Sequence, residues 1–312
     1  MQPFRLTDLP IVMAQRRAAR INHAVPLRRC DRPEAPLREW APLVGASLPL
    51  SRRRVWVARD GLSLLGLVSV RPRSGRAAWE IDTLIVPGEG DAYLLDLFDR
   101  AVATAGAAGA GRLFLRLAEG SPMLDAARRH GFVVVGEETL YGRGEQTALA
   151  IAAPAARRRD HREDQALFQL YSRVIPQEVR WHTALSLAEW RAAEEPLGKR
   201  GCEWVVRGDD EAPVALVRVA EGDRGRRVAI LTDAHRASAR AALAVALKVS
   251  SPHRGFFLLI PSYAVSDARA AEEAGLVALD RFTLLVRPIA QRAGRLQVAE
   301  RAVDASAMPV TR

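Results

Sequence analysis

Landmarks along the chain occur twice, in the same order and at a nearly constant offset. Trp56 matches Trp204 at 148 residues, Trp40 matches Trp190 at 150 and Phe114 matches Phe257 at 143. Gly131, Thr139, Leu140 and Arg143 match Gly275, Thr283, Leu284 and Arg287, all at 144. An offset of this size is the length of an ordinary domain, so the 312 residues read as one domain duplicated. The expected division is a first domain over residues 1–153, a second over 154–289 and a polar, patternless tail over 290–312 that should be mobile.

Each copy has the same element order. In the first, residues 55–61 form a strand that reaches Asp60-Gly61, a strong hairpin signal, and 62–70 return. Residues 78–86 give a third strand. Leu94, Leu97, Phe98, Ala101 and Val102 then recur at helical spacing. A strand over 112–117 follows, then a short helix opened by Ser121-Pro122 and stopped by Gly131. Residues 132–136 and 138–142 read as two closing strands. The second copy opens with a helix over 164–174. It continues with strands at 203–207, 213–219 and 227–231, a helix over 238–249, and a strand at 255–260. A helix over 266–274, stopped by Gly275, and a closing stretch over 276–286 complete it. The join is the charged stretch 152–164.

Composition narrows the function classes. Two cysteines, Cys30 and Cys202, make no disulfide framework, and the six histidines show no metal-ligand spacing. No apolar run approaches the roughly 20 residues of a membrane span, and the start lacks a secretory pattern. A cytoplasmic location away from the membrane is expected. The net charge is +10, and only Lys199 and Lys248 are lysines among the 46 basic residues. Arginine clusters such as Arg52-Arg53-Arg54 and Arg157-Arg158-Arg159 are scattered and carry no interleaved aromatics. The charge therefore reads as a chain-wide arginine bias, with no specific nucleic-acid partner expected.

The unit order, strand, helices, three antiparallel strands, long helix, strand, helix, strand, resembles the GNAT superfamily of acyl-CoA-dependent N-acyltransferases. The endings Asp125-Ala-Ala-Arg-Arg-His-Gly131-Phe132 and Arg269-Ala-Ala-Glu-Glu-Ala-Gly275-Leu276 look like that family's late helix, Gly and apolar strand start. The resemblance covers nearly the whole chain, as in tandem GNAT-like proteins of bacteria. It implies an α/β fold with a mixed sheet, two GNAT-like domains, acetyl-CoA as cofactor and an amine as acceptor.

The family holds the cofactor pyrophosphate on free amides at the start of the long helix, a natural anion site. Its pattern there is Arg or Gln, two residues, Gly, one residue, then Gly or Ala. The first unit offers Pro87-Gly-Glu-Gly-Asp-Ala-Tyr93, short and acidic. The second offers Arg236-Ala237-Ser238-Ala239-Arg240-Ala241, with Ala239 at the usual glycine, and is the expected cofactor-binding segment. For general acid–base work the resemblance points to Glu80 and Asp82, two residues apart on one strand face. An ordinary solvent-facing strand explains the same two acids. The places of the family's tyrosine hold Ala127 and Ala271, with Tyr141 and Tyr263 nearby. An acetyltransferase acting on an amine is the leading expectation. A non-catalytic ligand-binding or scaffolding protein is the alternative.

Overall fold

The computed structural model describes residues 1–14, 21–33, 41–46, 51–87, 93–143, 153–222, 224–250 and 255–290. All but the first residue of the expected tail (290–312) and most of the first-unit phosphate loop (88–92) lie outside the described residues, as does Trp40.

The first unit runs β1 (Gln2–Pro3), α1 (Leu9–Ala14), α2 (Ala41–Ala46), β2 (Arg54–Asp60), β3 (Ser63–Pro72), β4 (Ala78–Ile85), α3 (Leu94–Ala107), β5 (Arg112–Ala118), α4 (Met123–Arg129) and β6 (Val133–Arg143). The second runs β7 (Ala156–Arg158), α5 (Asp164–Val174), α6 (Gln177–Thr183), α7 (Leu187–Ala193), β8 (Cys202–Arg207), β9 (Pro213–Glu221), β10 (Gly225–Thr232), α8 (Ala239–Val249), β11 (Gly255–Pro261), α9 (Val265–Glu273) and β12 (Leu276–Pro288). The hairpin between β2 and β3 turns at Gly61, whose φ of +54° suits a residue without Cβ. Gly131 and Gly275 stop α4 and α9 with φ of +80° and +79°.

All the strands among the described residues join one twelve-stranded sheet, in the order β1-β2-β3-β4-β5-β12-β6-β11-β10-β9-β8-β7. The two closing strands expected in the first unit are a single long one, β6. The place that a second would fill beside β5 is taken by β12 from the other unit, antiparallel over Phe282–Pro288. In return β6 pairs with β11. The two long strands meet at the centre, where Glu138 faces Phe282, flanked by Glu137 against Thr283 and Thr139 against Arg281. Glu138 and Phe282 are 144 residues apart, the offset of the sequence repeat, so a pseudo-twofold axis passes through this pair.

Apolar burial follows the duplication. In the first unit the stripe Leu94, Leu97, Phe98 and Ala101 of α3 packs on Trp79, Ile81, Leu113 and Leu115 of the sheet. In the second, Leu243 and Ala246 of α8 pack on Val217, Val228 and Leu258. Trp190 closes a third cluster with Leu167, Tyr171 and Leu216, whereas Trp181 on α6 is exposed. No helix among the described residues is long and apolar enough to cross a membrane.

Candidate active site

In each unit the fourth and fifth strands run parallel and then part, leaving a V. In the first unit β4 and β5 pair only over Ala78–Glu80 and Arg112–Phe114. A bulge opposite Ser69 and Val70 puts an extra residue, Asp82, into β4 and helps it turn away. The opening is filled by the chain itself. Asn22 Oδ1 accepts from the Leu84 amide at 2.7 Å, and its Nδ2 donates to the Asp82 carbonyl at 3.0 Å. The His23 amide donates to the Leu84 carbonyl and the Val25 amide to that of Arg116, both at 2.9 Å. Ala24 bridges to Leu117. Residues 22–25 thus act as a short strand wedged into the V, and Asn22 and Ala24 are buried there.

The second V is built differently. β10 and β11 pair over Gly225–Ala229 and Gly255–Leu259, with Gly225 and Gly255 so close that a Cβ on Gly225 would lie 1.9 Å from the Gly255 carbonyl oxygen. Beyond Leu259 the strands diverge. At the mouth, Ser238 occupies the N-cap position of α8 without a side-chain cap bond, and the Asp233 carbonyl accepts from the amides of Arg236 and Ala237, both at 2.9 Å. The Ala241 amide donates to the Ser238 carbonyl. The amides of Ser238, Ala239 and Arg240 have no acceptor among the described residues, as expected at a helix start. The guanidinium of Arg236 pairs with Asp210, and that of Arg240 with Glu273 at 3.0 Å; these partners are exposed or half-exposed. Exposed pairs of this kind contribute about 0–1 kcal/mol and yield to a competing anion.

Behind the mouth lies a pocket of about 210 Å³ lined by Thr232, Asp233, His235, Tyr263 and Asp267. Burial pushes the Asp267 carboxyl up to about 6, against a smaller opposing effect of Thr232. Asp233 is held at 3.2 Å by Arg173. Tyr263 also lines a second cavity of about 220 Å³ that runs between the units. Its walls are apolar and aromatic, from Phe114, Tyr171, Ile175, Trp190, Leu231 and Leu284. Its carboxylates are Glu137, Glu138, Glu194 and Glu195. Glu194 is raised above its ordinary range by burial, which outweighs Arg218 and Arg159. Burial pushes Glu195 the same way, but Arg116, Arg73 and the Leu27 amide overcome it and bring it down to about 2. Tyr263 is also pushed up by burial, and stays a phenol at neutral pH.

No family model matches the sequence, and no curated protein matches it either. Solved structures do. A GCN5-related N-acetyltransferase from Sphaerobacter thermophilus superposes with a TM-score of 0.56 at 14% identity, over 92% of this chain and 95% of that one. The chain has the GNAT fold. A tandem GNAT protein from the clavulanic acid biosynthesis pathway aligns at 16% identity and a TM-score of 0.47, over 80% of this chain and 88% of that one. The repeat read from the sequence appears in the sheet as two units of similar element order whose last strands are exchanged.

Within this GNAT fold the residues singled out from sequence fall in two places. Arg236, Ala237, Ser238, Ala239, Arg240 and Ala241 sit together at the mouth of the second V, where β10 and β11 diverge. Glu80 and Asp82 lie on β4, which is buried along its whole length rather than facing solvent. Glu80 is paired with Arg71 and Arg73, and Asp82 with Arg53, Arg71 and Arg28. Burial would raise Asp82, but Arg53, Arg71 and Arg28 hold it below the usual carboxylate range. Neither acid lines the cavity; Arg73 stands between Glu80 and it. Tyr141 donates to Glu272 at 3.1 Å, on the α9 side of the sheet. The residues that sequence reasoning passed over are Glu194 and Glu195. Their one local signal is a pair of acids before Pro196 at the end of a helix.

Proposed function

We propose that the protein is an acyl-CoA-dependent N-acyltransferase that works through its second unit alone. The observation that carries this reading is the contrast between the two V-shaped openings. One is sealed by residues 22–25, and no described segment fills the other, which has helix-start amides and two arginines at its mouth. Acetyl-CoA would place its pyrophosphate on the Ser238, Ala239 and Arg240 amides, with Arg236 and Arg240 exchanging their exposed acids for phosphate. Its thioester would point past Tyr263 toward the cavity between the units.

The acceptor that suits this cavity is a primary amine on a compact apolar body. Aromatic walls hold the body, and Glu137, exposed at the rim, meets the ammonium. Glu194, raised by burial, takes a proton from the ammonium. The free amine attacks the thioester carbonyl carbon, the C–S bond breaks, Tyr263 protonates the departing thiolate, and the nitrogen gives its second proton back to the Tyr263 phenolate. The products are an amide and coenzyme A. Glu80 in this scheme positions Arg73 and does not touch substrate.

Isothermal titration with acetyl-CoA tests the reading. One molecule should bind per chain, and Arg236→Glu should weaken it at least about tenfold, or 1.4 kcal/mol. Turnover of 2-phenylethylamine should be lost in Glu194→Gln while cofactor binding stays. No binding at about 1 mM acetyl-CoA overturns the reading. It would leave the non-catalytic alternative, which Asp233 and Asp267 inside the groove favour because they repel an anion.

A further inference from the structure

Most arginines in the interior are matched to acids: Arg71, Arg73, Arg116, Arg159 and Arg227 all hold carboxylates. One group is not. Arg52, Arg54, Arg76 and Arg100 surround a groove of about 580 Å³ on the first unit, between the start of β2, the turn from β3 to β4 and the second half of α3. All four are exposed, no acid lines the groove, and none of the four has a carboxylate partner among the described residues. Two indoles, Trp56 and Trp79, line it with them. The sequence pattern hid this grouping, because the arginines come from three separate segments and the tryptophans alternate with other residues on two strands.

The groove has a built aromatic platform. Trp56 is fixed in plane by its Nε1, which donates to Thr104 Oγ1 at 2.9 Å. The Arg100 guanidinium lies over its ring, 5.2 Å from the centroid. Trp79 Nε1 donates to the Arg76 carbonyl at 3.1 Å and so ties that arginine's backbone to the groove wall. Ala103, Ala107 and Ala108 keep the α3 side low, which leaves room for a flat ring. The place lies at the end of β4 remote from its splay, outside both V-shaped openings.

We propose that this groove binds a free nucleotide, with its phosphates among Arg52, Arg54, Arg76 and Arg100 and its base against Trp56. Four cations in one concavity without acids repel each other and focus a positive potential, which an anion of several charges relieves. Guanidinium and indole together suit a ligand that is anionic at one end and aromatic at the other. The volume falls in the range of small-molecule sites. A nucleic-acid strand would need a track of successive stacking platforms, and here Trp79 is buried and Trp56 is a single half-buried ring with Arg100 over it.

The test is titration of the full chain with ATP, tripolyphosphate, adenosine and a six-nucleotide single-stranded DNA. ATP is expected to bind with a Kd below about 1 mM, and more tightly than tripolyphosphate or adenosine alone. The double variant Arg54→Glu/Arg100→Glu should weaken ATP at least tenfold. Reversing two exposed arginines elsewhere, Arg128→Glu/Arg162→Glu, changes net charge equally and should leave ATP binding as it was. Both pairs are on the surface, so circular dichroism should show the fold intact. Equal affinity for ATP and tripolyphosphate overturns the base contact. ATP binding that survives the Arg54/Arg100 reversal, or is absent at about 1 mM, overturns the site. DNA binding tenfold tighter than ATP overturns the free-nucleotide assignment in favour of a strand.

Discussion

Arg227 of β10 donates from Nε to Asp31 Oδ1 at 3.1 Å, joining the second unit to the amino-terminal segment of the first across 196 residues of sequence. Both side chains are fully buried, and the Arg224 amide adds a bond to the other carboxylate oxygen at 3.0 Å. Glycine at 222 makes space for this guanidinium, which a Cβ there would overlap.

Removing one partner of such a pair strands a charge in the interior. Asp31→Ala should cost about 3–5 kcal/mol in urea unfolding, whereas Asp31→Ala combined with Arg227→Met should recover most of that loss. A single variant within about 1 kcal/mol of the parent would show that the pair does not hold the units together.

The wedge in the first V rests on Asn22. Asn22→Ala leaves the Leu84 amide and the Asp82 carbonyl without their partner, and should destabilise the protein by about 1–3 kcal/mol. Thermal unfolding measures this, and an unchanged Tm would place the wedge outside the cooperative core.

Asp267 gives a pH-dependent outcome. Its carboxyl is raised to about 6 from 3.8, so the folded state holds the proton more tightly than the unfolded one. Its contribution to stability is complete below pH 3.8 and is lost as pH rises through 6. Asp267→Asn should therefore raise stability at pH 7.5 by about 1–3 kcal/mol, with the gain vanishing near pH 4. A gain that is equal at both pH values would trace to packing instead.

The two thiols should differ. Cys30 is buried and its pKa is pushed up to about 12 by that burial, whereas Cys202 is half-buried on β8. A thiol reagent at pH 8 is expected to label Cys202 alone in the native protein, and both after denaturation.

Much of the fold was legible. The opening helix of the second unit occupies 164–174 as its apolar spacing indicates, and the two glycine helix stops adopt the left-handed conformation that their positions imply. The partner of each closing strand was not. β6 and β12 carry matched sequences, so pattern alone does not say which unit each completes. Residues 22–25 left no trace, because four residues are too few for a periodicity. Glu80 and Asp82 read equally well as solvent-facing acids. Only the arginines converging from Arg28, Arg53, Arg71 and Arg73 explain two carboxylates on a wholly buried strand. Glu194 and Tyr263 became visible as neighbours of one cavity only when the units were brought together.

The exchanged strands also set a timetable for synthesis. The edge of β5 that receives β12 is made by residue 118, but Pro288 leaves the ribosome about 170 residues later. At 5–20 residues per second, that edge stays unpaired for roughly 9–34 s on each nascent chain. An open strand edge invites pairing with a neighbouring chain on the same message. A cell making this protein quickly therefore needs something to cover that edge during elongation, and truncated products ending before residue 276 should accumulate as aggregates rather than as a soluble first domain.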